Sequence, residues 1–103
     1  MDVTISTRHV TVSEAIRRHA VARLQRLERY DPRPVRAELL FDAQRGAKKV
    51  EAHVSVAGAG LFIARAAAPS FRNALDRALE RLARQIRRQH SRARNHHGFK
   101  NSQ

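Results

Sequence analysis

Between residues 35 and 68 the sequence alternates apolar and polar residues in three successive segments, and this period of two constrains the fold most. Such alternation is typical of strands that bury one face and leave the other in water. Arg36, Glu38 and Asp42 are expected on the polar side of the first segment. The apolar side is predicted to hold Val35, Ala37, Leu39 and Phe41, then Val50, Ala52, Val54 and Val56, then Phe62, Ala64 and Ala66. We therefore predict an antiparallel sheet that is covered on one face.

A helix is predicted before these strands, and a short strand, DVTIS, before the helix. Apolar residues recur at helical spacing in TVSEAIRRHAVARLQRLERY. Thr11 and Glu14 fit a capping box, although Ser13 is an alternative N-cap. The prolines of YDPRP cannot continue the helix and end it. The apolar stripe consists of Ile16, Ala20, Leu24 and Leu27.

A second, longer helix is predicted after the strands. Pro69 and Ser70 open it, and it runs from about Phe71 to the region of Arg92. Its buried stripe consists of Phe71, Leu75, Ala78, Leu79, Leu82 and Ile86.

The element order is therefore β-α-β-β-β-α, an α+β fold with a mainly antiparallel four-stranded sheet and two helices packed on one face. We expect residues 1–94 to form a single domain and residues 95–103, NHHGFKNSQ, a mobile basic and polar tail. The predicted core consists of Ile5, Ile16, Leu24, Leu27, Leu39, Val54, Phe62, Phe71, Leu75, Leu79, Leu82 and Ile86.

The charge of the chain points to a polyanionic partner. The 103 residues include 21 basic and 9 acidic side chains, for a formal charge of +12, and all but three of the basic residues are arginine. More than half of the excess, +7, lies in residues 71–103. Arginine suits phosphate because its planar fork can donate to two oxygens at once.

Other composition features exclude several classes of function. Because the chain has no cysteine, disulfides, thiol catalysis and thiolate metal sites are excluded. No segment resembles a signal peptide or reaches transmembrane length, so a cytoplasmic location is expected. A role at the membrane surface is disfavoured, because neither helix combines its arginine face with exposed large apolar residues.

The arginines of both helices are predicted to gather on the sides turned away from the core. Arginines four residues apart repel one another and cost a helix roughly 0.2–0.5 kcal/mol per pair. Bound phosphates would supply negative charge that offsets this repulsion. Binding would also release the counterions condensed on the nucleic acid. The candidate RNA-binding residues are Arg18, Arg23, Arg26 and Arg29 in the first helix, and Arg77, Arg81, Arg84, Arg88 and Arg92 in the second.

RNA is favoured over duplex DNA as this partner. Three strands separate the two helices, so no helix-turn-helix is available for a major groove. Four phenylalanines and one tyrosine are too few for base stacking to dominate. Recognition by backbone and shape suits a folded RNA.

Several stretches also resemble a known family: VTISTRHVTVSEAIRRHA, RLQRLERY, EAHVSV and, most specifically, SFRNALDRALERLARQIRRQHSR. Over residues 1 to about 94 the sequence resembles the short-type bacterial ribosome hibernation-promoting factors, also called ribosome-associated inhibitors or protein Y. The family commonly opens the second helix with Asp-Met-Tyr-Ala-Ala-Ile-Asp. Of the two acidic residues in that segment, this sequence has only the last, Asp76. Longer relatives continue into a dimerisation domain, which this sequence is expected to lack.

The resemblance implies a domain that binds rRNA in the decoding region of the small ribosomal subunit. It would block mRNA and tRNA binding, silence translation and preserve ribosomes. It implies no catalysis, no cofactor or metal and no small-molecule substrate. We expect the protein to be a monomer off the ribosome.

Two alternatives remain at this stage. A general double-stranded RNA-binding module also packs two helices on a sheet, but its first helix precedes all strands. A small basic ribonuclease could use one of the six histidines, although none is paired with a carboxylate at a telling spacing. The adjacent His96 and His97 lack further metal ligands, which favours a tail over a metal site.

Overall fold

A computed structural model describes the backbone of residues 1–30 and 33–101 and the side chains of residues 1–29 and 33–90. The elements are β1 (Asp2–Arg8), α1 (Glu14–Tyr30), β2 (Pro34–Gln44), β3 (Ala47–Val56), β4 (Gly60–Ala68) and α2 (Phe71–Asn101). The predicted order β-α-β-β-β-α and the α+β class are confirmed.

The four strands form one sheet in the order β1-β2-β3-β4. β2 pairs antiparallel with β3, and β3 with β4, whereas β1 pairs parallel with β2. The parallel pair follows from connectivity, since α1 carries the chain from the end of β1 back to the start of β2. The sheet is thus mainly antiparallel, as predicted.

One core lies between the sheet and the two helices, which pack against each other. Eight of the twelve predicted core residues are buried: Leu24, Leu27, Leu39, Val54, Leu75, Leu79, Leu82 and Ile86. The other four are partly buried at its margin: Ile5, Ile16, Phe62 and Phe71. Phe71 packs edge-on against buried Phe41, with ring centroids 5.5 Å apart.

The period-two prediction fails at two positions of β2. Val35 is 52% exposed instead of facing the core. A register irregularity between Pro34 and Arg36 shifts the alternation at the strand's start. Asp42, on the polar side, is buried, and its carboxylate has partners there: it accepts a hydrogen bond from the Ala43 amide and lies 3.5 Å from His9 Nδ1.

Side chains that cap the helices explain where they begin. Ser13, the alternative to Thr11, is the N-cap of α1, since its hydroxyl accepts from the Ile16 amide at 3.2 Å. Ser70 caps α2 as predicted, accepting from the Asn73 amide at 3.2 Å. α2 extends past Arg92 to Asn101, farther than predicted, and this stretch contains no proline that would end the helix.

Alanines line the contact between α2 and β4. Both elements pack together, and each contributes alanines to the buried core. Small side chains allow a helix to lie close to a strand, so the side chains at the edge of α2 come within reach of the β4 backbone. The buried alanines are Ala64, Ala66 and Ala68 of β4 and Ala74 and Ala78 of α2.

Candidate nucleic-acid interface

The two helices form a groove on the side of the molecule away from the sheet. Its rims are basic: Arg23 and Arg26 come from α1, and Arg84 and Arg87 from α2. Glu80 is the acidic residue among the lining side chains, and the floor is apolar, formed by Leu24, Leu27, Leu79 and Ala83. Four guanidinium groups around one carboxylate suit a phosphate chain better than a neutral ligand.

Arg23 already has two carboxylate partners within the protein. Its Nε lies 3.6 Å from Asp76 Oδ1, and its Nη2 lies 3.9 Å from Glu80 Oε1. The side chain is only 22% exposed. His19 Nε2 also approaches Asp76 Oδ1, at 2.7 Å. Asp76 and Glu80, in the first turns of α2, therefore help to hold α1 in place. Because their charges are paired with Arg23, they do less to reduce the repulsion among the other arginines.

Arg77 and Arg81 contact the free edge of β4. Arg77 Nη1 donates to the Ala67 carbonyl at 3.2 Å, and Arg81 Nη1 donates to the Arg65 carbonyl. Gln85 continues the series, with Nε2 donating to the Ile63 carbonyl at 3.0 Å. Both arginines remain exposed and keep other N–H donors for a ligand.

The remaining predicted site residues fall into three groups. Arg84 and Arg88 of α2 are exposed, and so is Arg26 on the facing side of the groove. Arg18 and Arg29 are exposed on α1. The Arg92 side chain lies outside the described residues. Arg87 was not among the predicted residues, although a step of 100° per residue already places it beside Arg84 and Glu80.

The opposite face of the sheet has a different character. Glu51 of β3 accepts a hydrogen bond from Arg65 Nε of β4, and His53 Nε2 lies 3.6 Å from its second oxygen. The Arg65 hydrogen bond is the main reason that the pKa of the Glu51 carboxyl is lowered. Leu61 and Ile63 are 57% and 40% exposed on this face. The charges of Glu51 and Arg65 are thus paired across β3 and β4.

The histidines of the described part of the chain assemble no metal site. Within that part, no three His, Asp or Glu side chains gather closely enough to hold an ion. The side chains of His96 and His97 lie outside it. Among the described residues, no helix is long and apolar enough to span a bilayer.

Solved structures of other proteins share this fold. The chain is similar to a ribosomal subunit interface protein from Coxiella burnetii, with a TM-score of 0.82 and 20% identity, covering 88% of this chain and 99% of the other. It is also similar to the N-terminal domain of Protein Y from Thermus thermophilus, with a TM-score of 0.78 and 27% identity, covering 85% and 98%. No curated protein sequence gives a significant match. The family model for the Sigma 54 modulation protein / S30EA ribosomal protein matches residues 3–94, and the chain therefore belongs to this family.

Proposed function

We propose that the protein is a ribosome hibernation factor. It binds rRNA in the decoding region of the small ribosomal subunit through the face formed by α1 and α2. Occupying that region blocks mRNA and tRNA, so translation stops while the ribosome is preserved. The family supports a ribosomal role, as does the name of the solved relative from Coxiella burnetii, a ribosomal subunit interface protein.

The arginine-rimmed groove is the observation that carries this proposal. Arg26 and Arg84 face each other across it and are exposed, and Arg88 extends the basic rim along α2. The apolar floor offers no polar group for a small substrate to recognise. Phosphates that bind between the helices would be held by guanidinium forks from both sides.

In this role the protein acts by occupying its site on the small subunit and catalyses no reaction. Neither a cofactor nor a small-molecule substrate takes part, and the protein acts as a monomer in the cytoplasm, where ribosomes are found. The rRNA is recognised through its folded backbone, since Phe41 is fully buried and Phe62 and Phe71 are partly buried, which leaves few rings for base stacking.

Sedimentation with ribosomal particles tests the proposal. Purified protein is mixed with separated small and large subunits and run through sucrose gradients, and inhibition of cell-free translation is measured in parallel. We expect the protein to travel with the small subunit and to inhibit translation at matching concentrations. An equal affinity for free duplex RNA would favour a general RNA-binding module instead, and cleavage of labelled RNA would favour a ribonuclease.

A further inference from the structure

β4 is an edge strand whose own sequence does little to protect it. It lies at the end of the sheet, and GLFIARAAA carries a single charged residue, Arg65. Leu61 and Ile63 are 57% and 40% exposed. Edge strands that are apolar and unblocked tend to pair with strands of other molecules. Protection of β4 must therefore come from another element.

α2 supplies a row of three donors along this edge, which we call the edge row: Arg77, Arg81 and Gln85. They donate to the carbonyls of Ala67, Arg65 and Ile63, respectively. These acceptors are two residues apart on the strand and the donors four residues apart on the helix. Two strand residues span about 6.6–6.8 Å, and four helical residues span about 6.0 Å. The two spacings match closely enough to keep three successive pairs in register.

We propose that the edge row closes β4 against strand addition by a second copy of this chain. Side-chain donors occupy the carbonyls that an incoming strand would need as acceptors. This role is independent of RNA binding. It also means that Arg77 and Arg81 serve the fold as well, although they are predicted RNA-binding residues like Arg84 and Arg88.

A second copy is the partner that an open β4 edge suits best. β3 and β4 are antiparallel, and two β4 strands related by a twofold axis would extend this antiparallel arrangement into a continuous sheet. Such a pair would be centred near Arg65, whose charge is compensated by Glu51 of β3. Side chains of the added strand would then partly cover Leu61 and Ile63.

Two variants that lose the same two charges separate the effect of the edge row's hydrogen bonds from the effect of the arginine charges. The triple variant Arg77→Ala/Arg81→Ala/Gln85→Ala removes all three donors. The double variant Arg77→Gln/Arg81→Gln removes the same two charges but keeps amide donors, and Gln85 shows that a glutamine on this side of α2 reaches a β4 carbonyl. Sedimentation velocity over a wide range of protein concentration measures self-association, and circular dichroism measures folding.

We expect the glutamine variant to stay monomeric and the alanine variant to approach a doubled mass as its concentration rises. Amide hydrogen exchange localises the contact. In an antiparallel edge strand the N–H and C=O of one residue point to the same side, so the amides of Ile63, Arg65 and Ala67 should exchange more slowly in the associated form. A folded alanine variant that stays monomeric would overturn the proposal, as would association without slower exchange at these amides.

A milder variant guards against loss of folding. Arg81→Ala/Gln85→Ala leaves the Arg77 hydrogen bond and the helix cap in place. If the triple variant does not fold, this double variant should show a weaker but concentration-dependent rise in mass. A constant monomer mass for it would overturn the proposal.

Discussion

The arginines of the two helices differ in how many of their five N–H donors the protein already uses. Arg23 faces two carboxylates and is mostly buried. Arg77 and Arg81 each donate to a β4 carbonyl. Arg84 and Arg88 are exposed and project away from the core. A phosphate ligand competes with fewer internal partners at Arg84 and Arg88 than at Arg23, so these two should contribute more to binding.

The first prediction follows from this difference. Arg84→Gln/Arg88→Gln keeps the helix propensity and much of the side-chain length but removes two phosphate forks. The plot of log affinity for small subunits against log salt should become shallower by roughly 1.4–1.8 units, at about 0.7–0.9 per phosphate contact. Inhibition of cell-free translation should weaken in step. Titration of small subunits at several salt concentrations gives the slope.

The matched control is Arg36→Gln/Arg45→Gln. It removes the same charge from the exposed face of the sheet and from the β2–β3 turn. We expect it to inhibit nearly as well as the parent. If the Arg84→Gln/Arg88→Gln variant inhibits as strongly as this control, the basic rim is an ordinary solvated surface, and the proposed function loses its main support.

The sequence could not distinguish these kinds of arginine. Helical periodicity places a residue on a side of its own helix, and it did so correctly for Arg84 and Arg88. It says nothing about partners far away in the chain. Asp76 is 57 residues from His19, and the β4 carbonyls become neighbours of α2 only when alanines bring helix and strand together.

A second prediction at this scale concerns Glu51. Its pKa is lowered in the folded protein, chiefly by the Arg65 hydrogen bond. A depressed carboxyl pKa adds stability above the unfolded pKa, and this stability is lost as pH falls through the folded pKa. Because the Arg65 side chain is 76% exposed, water screens the pair, and Glu51→Gln should cost at most about 1 kcal/mol at pH 7.

Urea unfolding of the parent and the Glu51→Gln variant at pH values from 7 down to 3 measures this effect. The difference in unfolding free energy should shrink as the pH falls below the ordinary glutamate pKa, about 4.3. A difference that stays constant over this range would show that Glu51 acts through packing and not through its charge.

At the scale of elements, α2 should anchor the fold through its buried stripe. The Leu82 side chain is fully buried between helix and sheet. Leu82→Ala should lower the free energy of unfolding by about 2–5 kcal/mol, because it removes apolar contacts and leaves a cavity. Leu61→Ala, at an exposed position of β4, is the matched control and should lower the free energy of unfolding by less than about 1 kcal/mol. Equal losses for both, measured by urea unfolding, would mean that α2 is not closely packed.

The order and type of the elements could be predicted because each rests on a local period. What failed depends on geometry beyond that period. A register irregularity moved Val35 out of the core. Two hydroxyls competed to cap α1, and the sequence could not decide between Thr11 and Ser13. The parallel pairing of β1 with β2 depends on the path of α1 across the sheet, which alternation alone does not reveal.

The molecule as a whole separates its charge between two faces. α1 and the part of α2 up to residue 90 carry eleven arginines against four carboxylates. The four strands carry five basic and four acidic side chains. The field outside the protein is therefore strongly positive on the helix side and nearly balanced on the sheet side. Such a distribution orients the molecule as it approaches a polyanion.

The last prediction concerns the strength of this electrostatic binding. If the helix face neutralises about six to ten phosphates, affinity for the small subunit should fall by roughly 10³–10⁵ between about 50 and 200 mM salt. The cause is entropic, since each phosphate contact releases condensed counterions and added salt reduces that gain. Titrations with sodium chloride measure the slope, and circular dichroism at the same salt concentrations checks that the protein stays folded. A nearly flat dependence would mean that apolar or base-specific contacts dominate, and the uneven charge would then need another explanation.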